Sequence, residues 1–142
     1  MLKTSLNKRS SMNRNCCYRS SERGDSMLLD EIDLFCKMFI DTDAGYEEVA
    51  QYVSESIDGK RGRWVISSPC CAIYLRGNDE FDESKRLEHP CGFLFSRYYL
   101  DIEPNEGIDS YFYIACISKL LVDLRDSGCR AVAACDFEQM LT

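Results

Sequence analysis

The sequence predicts an α+β fold: two N-terminal helices, a small mixed β-sheet of about four strands, and a crossover helix between the last two strands. Three observations lead there. Apolar residues recur at threes and fours between Met27 and Ile57, and short runs of branched and aromatic residues begin at Arg63. The last third then reads strand, helix, strand over about the length that a parallel crossover needs.

Residues 1–26 hold Lys3, Lys8, Arg9, Arg14, Arg19 and Arg23 against Glu22 and Asp25, with few aliphatic residues. Such a segment cannot bury enough surface to offset the entropy of ordering, so it reads as a disordered basic leader ahead of one acidic domain over 27–142. Its basic, Ser-rich composition is also that of a transit peptide, and Met27 is an alternative start. The net charge of −7 divides into +4 for the leader and −11 for the domain. An acidic body repels nucleic acid and attracts cationic partners.

In the first expected helix, Leu28, Leu29, Ile32, Phe35, Cys36 and Phe39 form one stripe, ending before Asp41. The second places Tyr46, Val49, Ala50, Val53 and Ile57 on one face, with Gly59 to stop it. Arg63–Ser67 and Cys71–Leu75 are short β-type runs joined by Ser68-Pro69-Cys70, and they are expected to pair antiparallel. The polar stretch 77–88 reads as an exposed loop, after which Phe93–Pro104 reads as the interior strand of the sheet. Asp109 or Ser110 is placed to cap the crossover helix and Gly128 to end it. Tyr113, Ile114, Ile117, Leu121 and Leu124 would face the sheet. Ala131–Cys135 reads as the closing strand, covered on both faces.

The two strands of the crossover end in matching acidic pairs, Asp101/Glu103 and Asp136/Glu138. If the strands run parallel, both pairs reach one edge of the sheet. Four carboxylates there suit a hard divalent cation or a basic protein surface, or they simply end the strands in water. No lysine follows either pair at the spacing a phosphate ligand would need. Tyr98, Tyr99, Tyr111, Phe112 and Tyr113 outnumber what one side of a sheet and helix can bury, so part of the set is available to flank the acids.

The nine cysteines are scattered, several inside apolar runs, and their odd number argues against a closed disulfide framework; buried thiols in a reducing cytoplasm are expected. Cys70, Cys71, His89 and Cys91 lack the paired spacing of a zinc site, and no signature marks a Cys–His nucleophile. No stretch is long and apolar enough for a membrane span or a signal peptide.

Phe95–Pro104 (FSRYYLDIEP), followed by a helix and Val132–Glu138 (VAACDFE), resembles small bacterial immunity proteins of polymorphic or contact-dependent toxin systems. That resemblance spans about a third of the chain and leaves the basic leader without a role. It implies a non-enzymatic inhibitor that binds and neutralises a cognate toxin through an acidic surface. The expected partner is a basic protein, with no cofactor, metal, nucleic acid or membrane. No contact residue carries over from that family position by position; the acid clusters themselves make Asp79, Glu80, Asp82, Glu83, Asp101, Glu103, Asp136 and Glu138 the expected contacts, with Tyr98 or Tyr99 as aromatic anchors. The competing reading is a metal-dependent hydrolase or phosphotransferase using the strand-end carboxylates.

Overall fold

The structure is a computed structural model that describes residues 32–88 and 90–141. The expected leader, the start of the expected first helix and His89 lie outside the described residues. Within them the chain begins with strand β1 (Cys36–Asp41) and helix α1 (Tyr46–Ser56). Strands β2 (Lys60–Arg61), β3 (Ile66–Ser67) and β4 (Cys71–Gly77) follow, then a 3-10 turn over Gly92–Phe95 and strand β5 (Tyr98–Pro104). Helix α2 (Ser110–Asp126), strand β6 (Arg130–Ala134) and a 3-10 turn at Glu138–Met140 complete it.

This corrects the expected fold class. Among the described residues the sheet has six strands in the order β2-β3-β4-β5-β1-β6, and every neighbouring pair is antiparallel. The two helices are not both N-terminal, because the segment ending at Asp41 is a strand inside the sheet. All six residues of β1 are buried, so its faces do not alternate apolar with polar and the period-two signal is lost. Its Lys37 and Asp41 are buried charges, which a sequence pattern reads as a solvent face.

β5 is shorter than expected. Phe93–Phe95 belong to the 3-10 turn, where Phe93 packs edge-on against Phe39 at 5.4 Å between ring centres. That turn covers part of the sheet face turned away from the main core. The crossover is also corrected. β6 runs parallel to β5 in direction, but β1 lies between them, and β6 is an edge strand paired only with β1.

Several elements form as their residues dictate. In α1, Glu47 and Glu48 occupy the first turn, and the Glu48 carboxylate accepts the Gly45 amide at 3.3 Å. The helix closes with the Gly59 amide donating to the Ser54 carbonyl at 2.8 Å, and Asp58, not the glycine, takes the left-handed backbone at φ 53°. Gly59 is required for space, since a Cβ there would lie 2.8 Å from Ile66 Cγ2. α2 is capped by Asp109, whose carboxylate accepts the Phe112 amide at 2.9 Å, and it ends at Gly128 with φ 96°. Tyr113, Ile114, Ile117, Leu121 and Leu124 of α2 join Val49 and Val53 of α1 in one core. Cys36, Met38, Ile40, Ile73, Leu100 and Ile102 supply the sheet side of that core.

The pairing register gives the sheet two ends. At the Asp41 end lie Gly77, Tyr98, Ile40 and Arg130; at the Pro104 end lie Cys71, Ile102 and Cys36, with Ala134 in line with Lys37 and Asp101. Asp41 is 2% exposed; it accepts the Arg97 amide at 3.1 Å and a guanidinium nitrogen of Arg130, and it forms an ion pair with Arg86, whose Nε lies 3.0 Å away. Asp43, by contrast, meets Arg86 from an exposed position. Asp41→Ala is therefore expected to lower unfolding free energy by ~3–5 kcal/mol, because it removes the buried carboxylate that the Arg97 amide, Arg86 and Arg130 all meet. Asp43→Ala should cost less than ~1 kcal/mol, as an exposed pair does. Urea unfolding of the two variants checks the contrast.

Candidate partner-binding surface

The turn from Pro104 to α2 is built by Asn105. Its amide donates to the Cys70 carbonyl at 3.0 Å, and its side-chain nitrogen donates to the carbonyls of Ser68 and Pro69, each at 2.9 Å. Gly107 supplies a left-handed residue, φ 78°, before the Asp109 cap. The first turn of α2 is thus fixed against the β3–β4 connection, with Glu106 and Asp109 exposed beside it. Tyr111 and Phe112 follow at 67% and 49% exposure, while Tyr113 turns inward and packs edge-on against Phe137 at 5.9 Å.

The acidic pairs converge on this same Pro104 end. β5 and β6 are both antiparallel to β1, so they run in one direction and carry Asp101/Glu103 and Asp136/Glu138 to one end despite the strand between them. Glu103, Asp136 and Glu138 are half-buried there, and Met140 is exposed in the closing turn. Asp101 is engaged within the fold: Lys37 Nζ lies 3.7 Å and Arg76 Nε 3.4 Å from its carboxylate. Lys37 also sits 3.1 Å from the centre of the Tyr99 ring, a cation–π contact on the sheet face away from the main core. Neither Lys nor Arg occurs between Asp101 and Ser118 or from Ala131 to the end of the chain. The result is a negative end studded with exposed aromatic and thioether side chains.

Asp79, Glu80, Asp82 and Glu83 do not join it. Their loop leaves β4 at Gly77 and returns at Tyr98, so it belongs to the Asp41 end. It is also an ordered series of turns. Asn78 donates to the carbonyls of Leu94 and Ser96 at 3.2 and 2.8 Å. The Asp82 carboxylate accepts the Ser84 hydroxyl at 2.7 Å and its amide at 2.9 Å, and those bonds lower its pKa. Asp79, Glu80 and Glu83 are exposed, and Glu83 lies 3.4 Å from Arg86. Tyr98 is buried in the main core, its hydroxyl donating to the Ala44 carbonyl at 3.0 Å. Tyr99 is half-buried on the opposite face.

The described cysteines form no reactive centre. Cys36, Cys70, Cys71, Cys116, Cys129 and Cys135 are free, while Cys91 is disulfide-bonded. Burial pushes the thiol of Cys71 up to about 12. Burial and a hydrogen bond with Cys70 do the same for Cys116, and a hydrogen bond with Cys135 together with burial raises Cys36. Protonated thiols are poor nucleophiles and poor metal ligands at neutral pH. Among the described residues no group of three or more His, Cys, Asp or Glu side chains is arranged to hold a metal ion. The strand-end carboxylates share an end of the sheet without converging on a point.

No family model, curated protein or solved structure matches the chain. Sequence reasoning identified the acidic pairs and the aromatic surplus and set Tyr113 against the sheet, but it took Tyr98 or Tyr99 as the anchors where Tyr111 and Phe112 are the exposed rings. Helical phase carries that signal: Tyr113 is in step with Ile117, Leu120 and Leu124, and its two predecessors are not. Tyr98→Phe should cost ~1 kcal/mol through the lost hydroxyl bond, measured by denaturant titration. Tyr111→Ala, with no core contact to lose, should stay within about 0.5 kcal/mol of the parent in the same titration.

Proposed function

We propose that this chain is a non-enzymatic binding protein that neutralises a cognate bacterial toxin by holding a basic surface of it against the Pro104 end of the sheet. The observation that carries this reading is the coincidence, at one end, of the acids Glu103, Glu106, Asp109, Asp136 and Glu138 with exposed Tyr111 and Phe112, in segments without a cation. Acidic groups steer a basic partner and fix its register. Tyrosine and phenylalanine supply large contact area with few rotors, as anchors at interface centres do. The rigid Asn105 turn presents them already ordered, which reduces the entropy lost on binding. Asp79, Glu80 and Glu83, at the far end, contribute to the long-range field and not to the contact.

That the partner is a toxin rests on the resemblance of Phe95–Pro104 and Val132–Glu138 to immunity proteins. A cytoplasmic location belongs to the same proposal. It is supported by six free thiols among the described residues, which suit a reducing compartment, against the disulfide of Cys91. No helix among the described residues is long and apolar enough to cross a membrane.

The test is binding to the C-terminal domain of a secreted toxin encoded beside this gene. Tyr111→Ala is expected to weaken affinity about 30-fold, or ~2 kcal/mol, mainly through faster dissociation. Glu103→Gln with Glu106→Gln should slow association and flatten its dependence on salt. Wild-type kinetics in both variants would overturn the assignment of this surface.

A further inference from the structure

The β2–β3 hairpin carries a second feature, opposite in charge. Its sequence, Lys60-Arg61-Gly62-Arg63-Trp64, puts three cations and the only tryptophan of the chain within five consecutive residues of an otherwise acidic domain. The tip is closed by the Gly62 amide donating to the Val65 carbonyl at 2.7 Å. Trp64 is 77% exposed, more than any other large hydrophobic residue described, and the Arg63 guanidinium lies 5.5 Å from its ring centre. Arg61 is held by Glu47 at 2.6 Å. Neither Lys60 nor Arg63 meets a carboxylate among the described residues.

β2 is also an edge strand, paired only with β3 through Lys60↔Ser67 and Arg61↔Ile66. In an antiparallel pair, alternate residues turn their amide and carbonyl away from the partner strand, so one residue of β2 offers both groups outward. Lysine and arginine on a short edge strand guard it against aggregation, and that accounts for the charges. It does not account for a fully presented tryptophan at the tip.

We infer that this hairpin is a docking site for an extended acidic peptide segment of a partner protein. The segment adds beside β2, sets carboxylates against Lys60 and Arg63, and lays an apolar side chain on Trp64. Charge complementarity selects the occupant. A long polyanion or an anionic membrane would meet the field of the whole acidic domain, including Asp79, Glu80 and Glu83 at the end of the sheet toward which the hairpin tip points. A short segment confined to β2 and the tip avoids most of that repulsion, because exposed charges beyond ~8 Å are largely screened at physiological salt.

Because Trp64 is the single tryptophan, intrinsic fluorescence of the full chain reports this site alone. The probe is a blocked peptide of alternating Glu and Val, compared with a Lys–Val peptide, an oligo-dT strand and phosphatidylserine vesicles. The Glu–Val peptide is expected to shift the emission to shorter wavelength, saturably and less strongly as salt rises. Lys60→Glu with Arg63→Glu should weaken that binding at least about tenfold. Trp64→Phe should keep the parent's melting temperature and bind more weakly by calorimetry. No shift with the Glu–Val peptide, an equal shift with Lys–Val, a response only to oligo-dT or vesicles, or indifference to charge reversal would each overturn the proposal.

Discussion

The carboxylate of Asp41, buried at the end of β1, joins parts of the chain that are far apart in sequence. It accepts the amide of Arg97 at the entry to β5 and a guanidinium nitrogen of Arg130 at the start of β6, and it pairs ionically with Arg86 in the long loop. A carboxylate at that depth costs several kcal/mol unless it is paired and hydrogen-bonded, so the placement of these segments is mutually stabilising. The consequence reaches the other end of the sheet. By pinning Arg130 opposite Asp41, the interaction sets the register of β6 on β1, and that register carries the acids after β6 to the end reached by Glu103. It also holds Arg86, whose guanidinium lies 5.5 Å from the Phe81 ring, beside the acidic loop whose turns Asn78 and Asp82 build.

The helices were legible because their determinants are local. The stripe through Val49 and Val53, the Asp109 cap and Gly128 each act within a few residues, and β3 and β4 pair across a short connection as their composition implies. β1 was not legible. Cys36–Asp41 is buried on both faces, and a short apolar run of that kind carries no period of its own. Lys37 and Asp41 read as solvent-facing until partners from Arg86, Asp101 and Arg130, distant in sequence, neutralise them. Phe93–Phe95 failed for a related reason: aromatic residues favour strands on average, but here they close a turn that packs on Phe39.

The candidate surface was legible in part. The reading that Asp101/Glu103 and Asp136/Glu138 share an end depends only on β5 and β6 running in one direction, and inserting β1 between them leaves that direction unchanged. Helical phase set Tyr113 against the sheet, but that Tyr98 is buried depends on which sheet face the helices cover, and that does not follow from composition. Asp101 was placed correctly along its strand, yet it is tied to Lys37 and Arg76, because cations on β1 and β4 come into register beside it. Arg63 and Trp64, expected in a strand over Arg63–Ser67, lie instead at the tip of the hairpin between β2 and β3, because the Gly62–Val65 turn limits β3 to Ile66–Ser67 and leaves β2 at the edge of the sheet.

The central claim is that the Pro104 end, and no other part of the domain, receives the basic partner. Hydrogen exchange of the chain with and without the bound toxin domain, read by mass spectrometry peptide by peptide, tests it most directly. The account predicts added protection over 103–113 and 136–141, with 60–65 and 79–88 unchanged. Protection confined to 79–88, with 103–113 exchanging as in the free protein, would contradict it.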